Sequence, residues 1–129
     1  MITETVTKKG KRWAVLERTE IPTPEELSFA AGFMEGDGYF GKNPSSVAAE
    51  FCQKDDWIIL WFQRKFGGAV GQIHKQGLSK GSYWRWRISG DRARQFMRET
   101  YVFYSPRRKA QIDGCLAFVY RGKNHVYQE

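Results

Sequence analysis

Cysteine is scarce in this chain: Cys52 and Cys115 are its only two in 129 residues, each among apolar neighbours. That is too little for a disulfide framework or a thiolate zinc site, so both are expected as buried free thiols in a reducing, intracellular setting. Long apolar runs are missing as well. Nothing approaches the roughly 20 residues of a spanning helix, and the threonine-rich start, Met1 to Lys11, has no apolar stretch of the kind a secretory signal needs. Low-complexity and linker-like segments are also lacking, so the length fits one compact domain with one site per chain. Acid is short relative to base, with 14 Asp+Glu against 21 Lys+Arg and a formal net charge of +7. Such an excess favours a polyanionic partner, because each neutralised phosphate releases condensed counterions. Nucleic acid comes before an anionic membrane, since the basic residues are spread along the chain instead of lining one amphipathic helix.

What is present reads as alternating helices and hairpins. Residues 1–20 hold Lys8, Lys9, Lys11 and Arg12 before Trp13-Ala14-Val15-Leu16, an N-terminal basic arm or an edge strand. Residues 21–129 then form the domain proper. Thr23-Pro24-Glu25-Glu26 is a capping box with proline at the first helical position, and the helix is expected to run to about Glu35 and stop at Gly36-Asp37-Gly38. Tyr39–Lys42 and Val47–Gln53 read as strands, and Asp55 as the cap of a second helix carrying Ile58, Trp61, Phe62 and Phe66 up to Gly67-Gly68. A second hairpin follows, over 69–75 and 82–89. The alternation in Tyr83-Trp84-Arg85-Trp86-Arg87-Ile88 gives it a core face of Trp84, Trp86 and Ile88 and a basic face of Tyr83, Arg85 and Arg87. Asp91 is expected to cap a third helix, with Phe96 and Met97 inward. Ser105-Pro106 starts a fourth, striped by Ile112, Cys115, Leu116 and Val119. The expected architecture is α+β: one curved antiparallel sheet with its helices on one face, and a helix–hairpin unit that occurs twice.

The chemistry concentrates at the end of the first helix. Ser28, Gly32 and Gly36 recur every four residues, a row of minimal side chains that costs helix propensity and calls for a close contact in return. Glu35 and Asp37 place acid where the helix dipole is already negative, a position that suits cations. Both features are explained if two copies pack through this row and bring their carboxylates together around a divalent cation, since carboxylate and carbonyl oxygens are hard ligands of the kind magnesium takes. The plainer alternative is a glycine-rich helix cap followed by a turn.

The segment Ala30-Ala31-Gly32-Phe33-Met34-Glu35-Gly36-Asp37-Gly38 resembles the signature nonapeptide of the LAGLIDADG homing endonucleases, with Glu35 in place of an Asp. The resemblance extends over roughly residues 24–120 as the αββαββα core of that family, whose single-motif members act as homodimers. It implies a site-specific double-strand DNA endonuclease that uses Mg2+, with Mn2+ or Ca2+ as substitutes in binding, on a long pseudo-palindromic site. It implies further that Asp37 and the Gly36 carbonyl hold the metal, that Ser28, Gly32, Glu35 and Gly36 lie at the dimer interface, and that polar or basic residues organise the attacking water. Gln53 falls where one family pattern carries such a polar group, and Arg108 where the family commonly has a lysine, with Lys109 as the adjacent alternative. Three features depart from the family: a short first hairpin, Trp57 where some members carry a basic residue, and little chain beyond the fourth helix.

On this reading the free sheet face meets the major groove, with Asn43, Glu50, Gln72, His74, Gln76, Tyr83, Arg85 and Arg87 as the residues that face base edges. Arg85 and Arg87 are the foremost, because arginine binds guanine bidentately. Two alternatives stand beside the nuclease: a DNA-binding regulator without catalysis, and an RNA-splicing maturase on the same fold.

Overall fold

The computed structural model describes residues 2–6, 12–43, 46–75, 81–118, 121–122 and 125–126. Lys8, Lys9, Lys11, Gln76 and Val119 lie outside the described residues. In chain order the elements are β1 (Ile2–Val6), β2 (Arg12–Leu16), α1 (Pro24–Asp37), β3 (Tyr39–Lys42), β4 (Val47–Gln53), α2 (Asp56–Phe66), β5 (Gly68–Lys75), β6 (Gly81–Ser89), α3 (Gly90–Thr100), a 3-10 turn at Tyr101–Phe103, α4 (Pro106–Leu116), and a short pair β7 (Arg121–Gly122) and β8 (His125–Val126). The fold is α+β. Its six-stranded antiparallel sheet has the order β1-β2-β5-β6-β4-β3.

The local signals in the chain account for most of these boundaries. Thr23 accepts from the Glu26 N–H at 3.2 Å while the Glu26 carboxylate accepts from the Thr23 N–H at 2.9 Å, so the capping box forms as expected. Ser105 caps α4 in the same way, through its hydroxyl oxygen and the Arg108 N–H. Other boundaries differ. Residues 1–20, expected as an arm or a single edge strand, contain the hairpin β1–β2, whose second strand pairs with β5. The first helix runs two residues past Glu35, so Asp37 is its last residue. The third helix starts at Gly90 with Ser89 as N-cap, and Asp91 instead pairs with Arg94 at 3.0 Å within the first turn. Asp55 occupies the N-cap of α2 without a side-chain cap bond.

The two helix–hairpin units, α1-β3-β4 and α2-β5-β6, meet through their second strands, with β4 antiparallel to β6. That junction sets which residues face the helices. Phe51 pairs with Trp86 and Ala49 with Ile88, and all four are buried against α1, α2 and α3. Phe62 of α2 is the hub, fully buried, its ring in contact with Phe33, Phe51, Trp61, Phe66, Trp86 and Phe96. Most of these pairs are tilted or edge-on, the arrangement favoured by ring quadrupoles. The Trp86 indole N–H donates to the Gly67 carbonyl at 2.8 Å, so its one polar atom is satisfied inside the core. Gly67 (φ 78°) and Gly68 (φ 105°) make the turn from α2 to β5 in backbone conformations that L side chains rarely adopt. A Cβ on Gly68 would also stand 2.8 Å from the Arg87 carbonyl oxygen.

Truncating the hub is expected to be costly. Phe62→Ala should lower unfolding stability by about 3–5 kcal/mol, read from the midpoint of urea denaturation at unchanged slope. A loss no larger than that of an ordinary surface substitution would contradict the role assigned to this ring.

Candidate functional site

The end of α1 is built by α4. No basic residue lies in the last turn of α1, yet its carbonyls have a cation: the Arg108 guanidinium donates from Nε to the Glu35 carbonyl at 3.2 Å and from Nη2 to the Gly38 carbonyl at 2.8 Å. Its Nη1 donates to the Gln111 side-chain oxygen at 2.9 Å, and the guanidinium lies 5.6 Å from the Phe40 ring centre. The reverse contact comes from Glu35. Its carboxylate accepts from the Ser105 backbone N–H at 2.8 Å and from the Ser105 hydroxyl at 2.7 Å, placing a negative charge on the N-terminus of α4. Each helix therefore caps the other, anion on the positive end and cation on the negative end, as the helix dipoles require. The Ser105 backbone and hydroxyl, in that order, hold the Glu35 carboxyl below the usual carboxylate range. The nearby Arg107 and Arg108 charges act in the same direction, and partial burial opposes them.

This cross-cap fixes where Asp37 stands. Asp37 is exposed at the helix end, and the Gln53 side-chain amide at the end of β4 donates to its Oδ2 at 3.4 Å, a long hydrogen bond. Gly38 follows immediately, where a Cβ would stand 2.6 Å from Met34 Cε and 2.8 Å from the Met34 carbonyl oxygen. Only glycine lets the chain turn this closely beneath the helix. The outer face of α1 carries Ser28, Gly32 and Gly36, all exposed, and an added Cβ on either glycine would meet nothing within 4 Å. Phe29, beside this bare strip, is 48% exposed and packs edge-on against Trp61 at 5.1 Å.

The structure brings Asp37, Gly36 and Gln53 together as expected, and Ser28, Gly32 and Gly36 share one exposed face. One expectation is corrected here. Arg108 is not a cation open to a phosphate: it is 7% exposed, with donors committed to the Glu35 and Gly38 carbonyls and to Gln111, because the first turn of α4 lies against the end of α1. The Glu35 carboxylate is held by Ser105 of its own chain. Arg107, passed over in the sequence, is the exposed cation here, its Nη2 3.7 Å from the Glu35 carboxylate. Its position between Pro106 and Arg108 in the first turn of a capped helix was the available signal. Lys109 places its ammonium 5.6 Å from the Tyr101 ring centre.

On the sheet, an unbroken register row runs from Ala69 through Arg87 and Glu50 to Tyr39. Glu50 pairs with Arg87 and lies 3.7 Å from Arg85, so one carboxylate holds two guanidinium groups side by side. The ammonium of Lys54, also unforeseen, lies 5.7 Å from the centre of the Tyr83 ring. A shallow hollow is lined by Tyr39, Gly41, Lys42, Asn43, Ala48 and Arg87, while the Asn43 side-chain oxygen Oδ1 also closes its own turn by accepting from the Ser46 N–H. The positions Gln72 and His74 are corrected: Gln72 pairs with Trp84 and His74 with Ser82, which puts both on the opposite side of the sheet from Arg85 and Arg87. The run Gly68-Ala69-Val70-Gly71-Gln72 has no polar–apolar alternation from which the phase could be read.

Among the described residues, no three of His, Cys, Asp and Glu converge as a metal cage, and no helix is long and apolar enough to cross a membrane. No protein-family model matches the chain, and no curated protein matches it.

The Glu35–Ser105 contact carries a pH signature. Because the Glu35 carboxyl is held low in the fold, its contribution is fully present above its ordinary value of 4.5 and is lost as pH falls through the lowered native value. Glu35→Gln is therefore expected to reduce thermal stability at neutral pH, with the difference from wild type shrinking in acid. Melting curves that stay parallel from pH 7 to about pH 2, well below a carboxyl's ordinary range, would overturn this assignment.

Proposed function

We propose that the protein is a DNA endonuclease that works as a pair of identical chains, each offering Asp37 to a divalent cation at the meeting point of two α1 helices. The observation that carries this reading is the placement of an exposed carboxylate, with an amide beside it, at the end of a helix whose outer face is stripped to Ser28, Gly32 and Gly36. Such a face gives up helix propensity of about 1 kcal/mol per glycine, and close packing against a second such helix compensates. The resemblance of Ala30–Gly38 to the LAGLIDADG signature leads to the same reading.

The donor chemistry fits magnesium: a carboxylate and the backbone carbonyl of Gly36 are hard oxygen ligands, and a second copy doubles the set. When bound, the ion supplies Lewis acidity to a phosphate and lowers the pKa of its water. The chain's own residues do the rest. Asp37 would hold the cation, Gln53 would orient the carboxylate and offer an amide to an incoming water, and Arg107 is an exposed cation near that helix end. Arg108 acts at one remove, by locking the α1 terminus on which Asp37 sits. Across the sheet, Arg85 and Arg87 present donors suited to guanine edges, with Glu50 keeping them apart and oriented.

Two outcomes test this directly. Asp37→Asn is expected to reduce magnesium-dependent cleavage of a randomised duplex library by at least about 100-fold, the scale on which one electrostatic stabiliser is lost, while duplex binding survives. If wild type and variant bind alike and neither cuts with magnesium or manganese, the nuclease gives way to a DNA-binding regulator; preference for structured RNA over duplex would instead favour a splicing cofactor. Gly32→Leu separates seam from core. It should stabilise the isolated chain by up to about 1 kcal/mol through helix propensity, yet abolish the dimer in sedimentation and cleavage with it. A variant that stays dimeric and active would remove α1 from the interface.

A further inference from the structure

We propose that a hollow where β6 passes into α3 is a seat for one phosphate of a nucleic-acid backbone, with Arg87 and Arg92 as its cations; this rests on the DNA-binding reading above. The hollow has a volume of about 150 Å³ and is lined by Gly68, Ala69, Arg87, Ile88, Ser89 and Arg92. That is well below the roughly 300–1,000 Å³ of pockets that enclose whole small molecules, so it suits a single small group. Two of the lining residues are arginines and none is an acid. The group it suits is therefore an anion, and the planar guanidinium fork matches phosphate oxygens in particular.

Register and turn geometry bring the two arginines to one hollow. Arg87 pairs with Ala69 across β6 and β5, while its chain neighbours Trp86 and Ile88 are buried in the core, so Arg87 stands on the sheet face turned away from the helices. The strand ends at Ser89, and Gly90, with φ 64°, turns the chain so that Arg92 arrives in the first turn of α3. Gly68 keeps its part of the lining bare: its φ is 105°, and a Cβ there would stand 2.8 Å from the Arg87 carbonyl oxygen.

Each arginine is oriented by one carboxylate that lies outside the lining, Arg87 by Glu50 and Arg92 by Glu17. A guanidinium carries five N–H donors, more than one carboxylate can take, and the two side chains remain 38% and 42% exposed. Glu17, at 62% exposure, is a counter-ion that phosphate oxygens can displace. Arg87 also borders the hollow beside Tyr39, so the seat adjoins the surface proposed to face base edges. Spacing agrees with that placement. Arg85 lies two residues from Arg87 on the same face, about 7 Å along the strand, and the walls of a B-form major groove stand roughly 6 Å from its middle. A duplex with base edges at Arg85 would therefore bring a backbone phosphate to the hollow.

The test is the salt dependence of duplex binding by the full chain and three variants. Arg92→Gln is expected to flatten the slope of log affinity against log salt by about 1 per chain, weakening all duplex sequences alike with base preference unchanged. Glu17→Gln breaks the same ion pair but leaves the cation, so it should keep the slope and strengthen binding. Arg98→Gln removes an equal charge about 9 Å further along α3, outside the lining, and should leave the slope as in wild type. A pair that merely holds the fold would move Arg92→Gln and Glu17→Gln in one direction. That result, an unchanged slope in Arg92→Gln, or an equal loss in Arg98→Gln overturns the seat while leaving the DNA-binding reading intact. Inorganic phosphate decides the source of the anion: if it raises the melting temperature of wild type but not of Arg92→Gln, while both show the same duplex slope, the hollow takes free phosphate and the backbone assignment falls. A wild-type chain that binds no duplex at any salt brings down the parent reading and the seat together.

Discussion

The exchange of caps between α1 and α4 is the contact from which the candidate site takes its shape. A helix end leaves carbonyls or N–H groups without partners, and burying either end unsatisfied costs on the scale of lost hydrogen bonds. Here two ends are brought together and each supplies what the other lacks: Glu35 meets the N–H and hydroxyl of Ser105, and Arg108 meets the carbonyls of Glu35 and Gly38. The residue types matter. A lysine at 108 would bring a single ammonium, whereas the arginine fork reaches two carbonyls across the helix end and a third acceptor on Gln111. The pair also neutralises acid and base within the chain, so that Asp37 remains as the exposed carboxylate on the last residue of α1.

How far the sequence anticipates this depends on the range of the signals involved. Short-range chemistry was readable: the Thr23–Glu26 capping box, the Ser105-Pro106 start, the glycine pair after Phe66 and the alternation of Tyr83 to Ile88 all correspond to what forms. The expected grouping of Asp37 with Gln53 also forms, through a long hydrogen bond between the ends of α1 and β4. What the sequence leaves unread is long-range: nothing local indicates that Arg108 is committed to the end of α1, because two helix ends about 70 residues apart are partners. Gln72 and His74 were placed on the wrong side because β5 has no alternation of its own, and its phase is imposed by pairing with β6. The β1 strand is hard to read because Ile2–Val6 is only five residues long, and its pairing with β2 lies beyond local signals.

On the sheet face one carboxylate organises two guanidinium groups. Arg85 and Arg87 sit on neighbouring same-side positions, where like charges repel across a short distance. Glu50 lies opposite and binds both. Each ion pair is partly exposed and adds little to stability, so its effect is geometric: it fixes the guanidinium groups before a ligand is present and reduces the ordering entropy lost on binding. On the proposed DNA-binding reading, exchange of Glu50 for a base acceptor would substitute one set of hydrogen bonds for another, an exchange that only a correctly placed acceptor could complete.

The strip Ser28, Gly32, Gly36 finally bears on why the molecule would work in pairs. In one chain an added Cβ at Gly32 or Gly36 would meet nothing within 4 Å, so replacing either glycine with alanine would gain helix stability without meeting a neighbouring atom. A sequence shaped by monomer stability alone would have little reason to keep them bare. The proposed dimer seam would supply a reason, because close helix approach requires that no Cβ intervene, and the same approach would bring two Asp37 carboxylates near one another at two negative helix ends. That concentration of negative charge is unfavourable without a cation and favourable with one. Association and metal binding are then coupled, each making the other less costly, and the helix that would build the interface is the one that ends in the carboxylate.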